Sequence, residues 1–197
     1  MSLDAGTPCR VSGNFAAHAL ALDGPLLVVA RRFGDARGYF TETYSRPDFL
    51  ALGIADAFVQ DNESLSQSAG TIRGLHFQRP PRAQAKLVRV LRGRILDVAV
   101  DLRASSGCYG RHVAVELAAG DGRMLYVPAG FAHGFVTREP DTAIAYKVSD
   151  TYAPDCDMGL AWDDPALGID WGVSPEEAVL SDKDRHHPRL AALGPVF

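Results

Sequence analysis

The sequence predicts an all-β chain, a sandwich or barrel of short strands with a few short helices at its periphery. Three observations lead there. β-rich segments of five to ten residues recur from residue 25 on, Gly, Pro, Asp and Asn punctuate nearly every gap, and helical signals are confined to two places.

The segments fall at 25–32, 38–44, 58–66, 71–78, 86–91, 94–103, 111–118, 123–127, 133–138 and 142–149. Within 94–103, Leu96, Val98, Val100 and Leu102 alternate with Asp97, Ala99, Asp101 and Arg103, the two-residue period of a strand with one buried face. Arg92-Gly93 and Gly120-Asp121-Gly122 each stand between two strands and tolerate positive φ, so both predict hairpins. Helix is expected at 46–52, where Pro47 suits the first turn, and at 174–180, where Ser174 and Glu177 have capping-box spacing. Residues 1–16 carry no apolar period and begin Met-Ser-Leu, the pattern of a vector-derived remnant and a flexible leader. A single domain is expected over 17–197, with no repeat or linker-like stretch inside it.

Composition fits that reading. At 197 residues, 47% apolar and 22% charged, the chain can bury one sizeable core. No window approaches a membrane span and no basic region precedes a long apolar run, so a cytoplasmic protein without a membrane partner is expected. Cys9, Cys108 and Cys156 are odd in number, widely spaced and form no CxxC pair, which predicts free thiols. The net charge of −4 argues against nucleic acid as a partner. Residues 71–96 nevertheless hold seven Lys or Arg and no acid, which reads equally as a local anion site or as strands with solvated basic edges.

One motif narrows the fold to a cupin barrel. Gly122-x5-Pro128-x-Gly130-x2-His133 has the spacing of the second cupin motif, and Gly70-x5-His76 opens the first. The metal-binding form of the first motif continues His-x-His and then a glutamate. Here Gln78 replaces the second histidine, and Arg82 or Ala83 replaces the carboxylate. A transition metal wants three or four such ligands and only His76 and His133 remain, so no metal is expected. Either histidine taken singly reads better as a packed core residue without a role. Together they suggest a barrel that moves protons, because an unperturbed histidine titrates nearest neutral pH. Strand parity lets Tyr146 point inward with Ile144 and Val148, and Lys86 with Val88 and Val90; His76 would share its face with Ile72, Gly74 and Gln78.

With these residues in hand the sequence resembles the dTDP-4-dehydrorhamnose 3,5-epimerase family from about Pro25 to Asp184. The strings that carry the resemblance run in order: Phe33-Gly-Asp-Ala-Arg-Gly-Tyr-Phe-x-Glu42, Gln60-Asp61-Asn62, Arg73-Gly-Leu-His-Phe-Gln78, Gln84-x-Lys86-Leu-Val-Arg89, Val127-Pro-x-Gly-Phe-Ala-His-Gly-Phe135, Tyr146-Lys147 and Ser181-x-Lys-Asp184. The resemblance implies a jelly-roll cupin homodimer, without metal or cofactor, acting on a dTDP-4-keto-6-deoxy sugar. It makes His76 the base for carbons 3 and 5, Asp184 its partner, Tyr146 the acid on the opposite face and Lys86 the cation at the enolate oxygen. It also implies that Arg37, Glu42, Gln60, Asp61, Asn62, Arg73, His133, Tyr152, Asp157 and Lys183 bind the nucleotide sugar. Arg73 and His76 differ in strand parity, so a bulge near Gly74, or service of Arg73 in a partner's site, is needed to bring them together. Enzymes that invert one carbon share this catalytic set, and a non-catalytic sugar-nucleotide sensor or a metal-dependent cupin are the further alternatives.

Overall fold

A computed structural model describes residues 7–197. Its strands are β1 (Arg10–Ser12), β2 (Phe15–Ala19), β3 (Leu26–Ala30), β4 (Arg32–Asp35), β5 (Gly38–Thr41), β6 (Gln60–Ser66), β7 (Ile72–Gln78), β8 (Lys86–Arg92), β9 (Arg94–Asp101), β10 (His112–Ala118), β11 (Arg123–Val127), β12 (Phe131–Thr137), β13 (Thr142–Val148) and β14 (Asp157–Gly159). The two short helices are α1 (Arg46–Ala51) and α2 (Leu190–Leu193). An antiparallel seven-stranded sheet runs β1-β2-β3-β11-β8-β13-β6 and a five-stranded one β10-β9-β12-β7-β14, while β4 and β5 pair as a separate hairpin. The result is the cupin barrel that the motif spacing predicts, in the jelly-roll form that the family resemblance implies.

Apolar surface explains the layering. Leu27, Val88, Leu125 and Ile144 of the larger sheet meet Ile95, Val115, Phe131 and Phe135 of the smaller one in the barrel interior. Outside the smaller sheet, Ile72, Phe77, Val98 and Val136 are covered by Leu160, Trp162 and Trp171 from the C-terminal segment. Outside the larger sheet lies α1. Six residues are too few for a self-supporting helix, and α1 is held because Phe49 is buried with Phe15, Val28 and Leu87 and meets Phe15 edge-on at 5.1 Å. Pro47 sits at its start, as expected.

Several expectations are corrected. Part of the segment read as a leader is sheet: β1 and the start of β2 extend the larger sheet, and Phe15 is buried. Three alanines in Phe15–Ala19 give too weak an alternation to register as a strand. Met-Ser-Leu lies outside the described residues. Neither glycine turn closes a hairpin, because β8 and β9, like β10 and β11, belong to different sheets. Both turns are corners where the chain switches sheets. Gly93 has positive φ and passes so close to Thr142 that a Cβ would collide with its hydroxyl. The helix expected at 174–180 is a single turn. Ser174 N–H donates to Glu177 Oε2 and its carbonyl accepts from residues 177 and 178, but Val179 then bridges to Thr71 at the sheet edge. The sheet's unpaired edge outcompetes a second helical turn.

Strand β9 reverses the simple reading of its alternation. Leu96, Val98 and Val100 face outward beneath the C-terminal segment, whereas Asp97, Ala99 and Asp101 are also fully buried. Both faces are covered, so a polar residue on this strand is an interior one. The parity problem on β7 is resolved by a bulge. His76 pairs with His133 but Arg73 with Phe135, so three steps on β7 match two on β12. That extra residue puts Arg73 and His76 on one side. It also sends Ile72 into the outer cluster, away from the face it was expected to share with His76. At the bulge Gly74 has φ +138°, and a Cβ there would stand 2.5 Å from Gly134 Cα. Gly74→Ala is therefore expected to cost roughly 2–4 kcal/mol, read as a lower urea midpoint at unchanged slope.

Candidate active site

Strands β7, β8, β12 and β13, together with residues 179–184, enclose a cavity of about 420 Å³ lined by Arg73, His76, Lys86, His133, Tyr146 and Asp184. A neighbouring cavity of about 300 Å³ shares His76, Lys86, Tyr146 and Lys183 and adds Gln60, Asn62, Tyr152 and Asp157. The two are one continuous mouth by virtue of those shared side chains.

His76 Nε2–H donates to Asp184 Oδ1 at 2.5 Å, and the Ser181 hydroxyl donates to Oδ2 at 2.9 Å. With Nε2 committed to Asp184, the Nδ1 lone pair is the one able to take a proton. Burial works to raise the Asp184 carboxyl, but hydrogen bonds from His76 and Ser181 and the charge on His76 outweigh it, and the group stays below its usual range. The carboxylate thus remains ionised at neutral pH, and an ionised partner stabilises the imidazolium that forms when His76 is protonated.

Lys86 donates to the His76 carbonyl at 3.2 Å, and burial lowers its pKa to about 8 against the raising influence of Asp97 and Asp157. Behind it, fully buried Asp97 accepts from His133 Nε2 at 2.7 Å, and its other oxygen has no hydrogen-bond partner. Burial pushes His133 down, so it is neutral at working pH. Its ordered role is as a donor that holds Asp97. Burial also raises the Tyr146 phenol, with Arg73 opposing, so Tyr146 keeps its proton at neutral pH.

Around the mouth, Lys183 pairs with Asp157, which also accepts from the Tyr152 hydroxyl at 3.0 Å. The Tyr152 ring is exposed. Gln78, standing where a metal-binding cupin has its second histidine, braces backbone instead: its amide donates to Arg82 and Thr151 carbonyls and accepts from Ala153 N–H. Of the seven basic residues in 71–96, only Arg73 and Lys86 line the cavities; Arg82 pairs with Asp150 and Arg94 with Glu139. Two of the seven are thus taken up in surface ion pairs.

Three residues named from the sequence lie elsewhere. Asp61 follows the strand period onto the opposite face of β6, where it accepts twice from Lys147. Arg37 occupies the tip of the β4–β5 hairpin, bonded to Asp35, and Glu42 accepts from Asn14. Asp97, Ser181 and His187 were missed as neighbours of the site. A carboxylate in an otherwise aliphatic strand was the available signal for Asp97; His187 gave none, since it reaches Asp184 through a turn.

Two antiparallel sheets closing over a histidine bonded to an ionised aspartate, a lysine and a protonated tyrosine define the class: a cupin-type epimerase that works by proton transfer beside a carbonyl. The profile of the family described as dTDP-4-dehydrorhamnose 3,5-epimerase matches residues 19–192. An enzyme of that name from Sinorhizobium fredii is 52% identical over 181 residues, covering 91% of this chain and 92% of its own. A crystal structure of the Bacillus anthracis enzyme with TDP and PPi bound superposes with TM-score 0.86 at 46% identity, covering 89% of this chain and 99% of that one. The Legionella pneumophila dTDP-6-deoxy-D-glucose-3,5-epimerase, in complex with dTDP-4-keto-L-rhamnose, gives TM-score 0.86 at 38% identity over 91% and 94% of the two chains. The chain belongs to the dTDP-4-dehydrorhamnose 3,5-epimerase family.

Proposed function

We propose that this enzyme inverts carbons 3 and 5 of dTDP-4-dehydro-6-deoxy-D-glucose, giving dTDP-4-dehydro-L-rhamnose. The observation that carries the reading is the 2.5 Å His76–Asp184 pair sharing one cavity with Lys86 and Tyr146. Protons on carbons 3 and 5 are acidified by the C4 ketone between them. His76 Nδ1 removes one, leaving an enolate whose oxygen meets the Lys86 ammonium, where charge develops in the transition state. Tyr146 then delivers a proton to the opposite face, and delivery from that face is what makes exchange an inversion. Once His76 has released its proton to solvent and Tyr146 has regained one, the same sequence at the second carbon completes the product.

The nucleotide half belongs to the smaller cavity. Gln60, Asn62, Asp157 and Lys183 offer it hydrogen bonds, and the exposed Tyr152 ring can stack on thymine. Arg73 is placed for the diphosphate by its forked donor geometry. Arg37 and Glu42 act in a second copy's site. The β4–β5 hairpin that leads to them exposes Tyr39 and Phe40 by 58% and 64%, apolar surface suited to a partner in a homodimer. The enzyme works in the cytoplasm; no helix among the described residues is long and apolar enough to cross a membrane.

The deciding experiment is incubation with the dTDP-4-keto sugar in heavy water, reading deuterium at both carbons by NMR. Label at both supports the reading. Label at one carbon makes this a single-position epimerase, and tight binding without label makes it a sensor.

Lys86 sets the alkaline limb. The ammonium is charged below about 8 and neutral above it, so kcat/KM should fall about tenfold per pH unit beyond that point. Asp97→Asn keeps an acceptor for His133 but removes the negative charge that raises Lys86. It is expected to move the limb to lower pH, and an unmoved limb would assign it to another group.

A further inference from the structure

His187 adds a third ligand-type side chain to the His76–Asp184 pair, and the proton-transfer reading gives it nothing to do. It follows the turn Asp184–His186 and stands edge-on to His76, ring centroids 5.5 Å apart. Its side chain is 9% exposed, and its Nε2 has no hydrogen-bond partner. That nitrogen lies 3.4 Å from Asp184 Oδ1, the same oxygen that accepts from His76. Ser181 occupies the other oxygen, so Oδ1 stands between two imidazoles. The ring is seated against Gly159, where a Cβ would collide with it.

We propose that His76, Asp184 and His187 form an inhibitory site for a borderline divalent transition metal, zinc foremost. Two imidazole nitrogens and a carboxylate oxygen are a zinc donor set that leaves a fourth position open to the cavity. The three donor atoms lie within 4.8 Å of one another. Tetrahedral zinc with bonds of about 2.0–2.2 Å has ligand-to-ligand edges of roughly 3.3–3.6 Å. The His187–Asp184 separation already has that length. It is long for a hydrogen bond, which accounts for a buried nitrogen without a partner. The His76–Asp184 separation must open by a little under ~1 Å, a small rotation of a side chain that is 31% exposed to the cavity. Both lysines at the cavity have partners of their own, Lys183 on Asp157 and Lys86 on the His76 carbonyl.

The consequence for catalysis, which rests on the function proposed above, follows from the tautomer. Zinc at Nε2 of His76 takes the position of the ring proton. A neutral imidazole then carries that proton on Nδ1, where it occupies the lone pair of the base. No proton need leave the ring, and exchange at the sugar stops.

The test uses the full chain freed of metal with a chelator. Zinc is titrated by calorimetry without sugar, and deuterium wash-in is followed at the same buffered zinc levels. One zinc per chain is expected, with wash-in lost on loading and restored by EDTA. His187→Phe and His187→Ala should bind zinc at least about tenfold more weakly and leave zinc-free wash-in unchanged. No stoichiometric binding in the wild type, or equal affinity in both variants, would overturn the site. As a check independent of substitution, ring nitrogen signals of His76 and His187 should shift together on zinc addition, and a silent His187 would also overturn it. A chain that binds zinc through His187 yet never exchanges protons with the sugar would sink the epimerase reading while leaving the site standing.

Discussion

His76→Asn is expected to abolish deuterium wash-in at both carbons, a fall of about 10²–10⁴-fold in the rate of C–H cleavage, with substrate affinity little changed. The asparagine amide is too short to reach Asp184 from where Nε2 stands, but the Ser181 hydroxyl still donates to that carboxylate and holds it in place. One residue serves both carbons in this reading, so the two wash-in rates should fall together. A variant that loses label at one carbon but not the other would require a second base. Asp184→Asn should be milder yet show the same symmetry. Its amide is neutral, so the imidazolium of protonated His76 loses the ionised partner that stabilises it.

Tyr146→Phe should separate exchange from inversion. Cleavage of the C–H bond needs His76 and Lys86, which line the cavity independently of the phenol, so solvent deuterium should still enter the substrate on the face from which it left. Inversion requires a donor on the other face and should drop by about 10²–10⁴-fold. NMR of the sugar distinguishes the outcomes, since retained and inverted products differ in ring couplings. Because burial raises the Tyr146 pKa, the wild-type phenol stays protonated through neutral pH, and its ionisation should not limit inversion there. Normal inversion in Tyr146→Phe would remove Tyr146 from the mechanism.

How much of this was readable in one dimension varies by element. The ten strand segments anticipated from 25 onward correspond to strands because alternation and glycine punctuation are local properties. Helix α1 was signalled locally by Pro47, although what holds it is the burial of Phe49 against the larger sheet. The strands β1 and β2 were missed because alanine barely marks a face, and the helix at 174–180 was overcalled because its capping geometry exists without the second turn. The Gly93 and Gly122 turns were placed correctly but given the wrong partners. A positive φ is demanded alike by a hairpin and by a corner, and only the sheet order decides between them.

For the site, spacing in the sequence located His76 and His133, and family resemblance supplied Tyr146, Lys86 and Asp184. What the residues by themselves determined is the inventory: an all-β chain carrying a histidine at each cupin position without the remaining metal ligands beside them. What the tertiary structure alone decided is which groups share a cavity. A bulge of one residue at Gly74 turns Arg73 to the side of His76, and a chain segment 108 residues further on brings Asp184 to 2.5 Å of that histidine. His187 arrives with the same turn. Proximity of this kind follows from sheet registry and long-range closure, whose energies come from burying the two sheet faces and the C-terminal cover together. No local pattern encodes them.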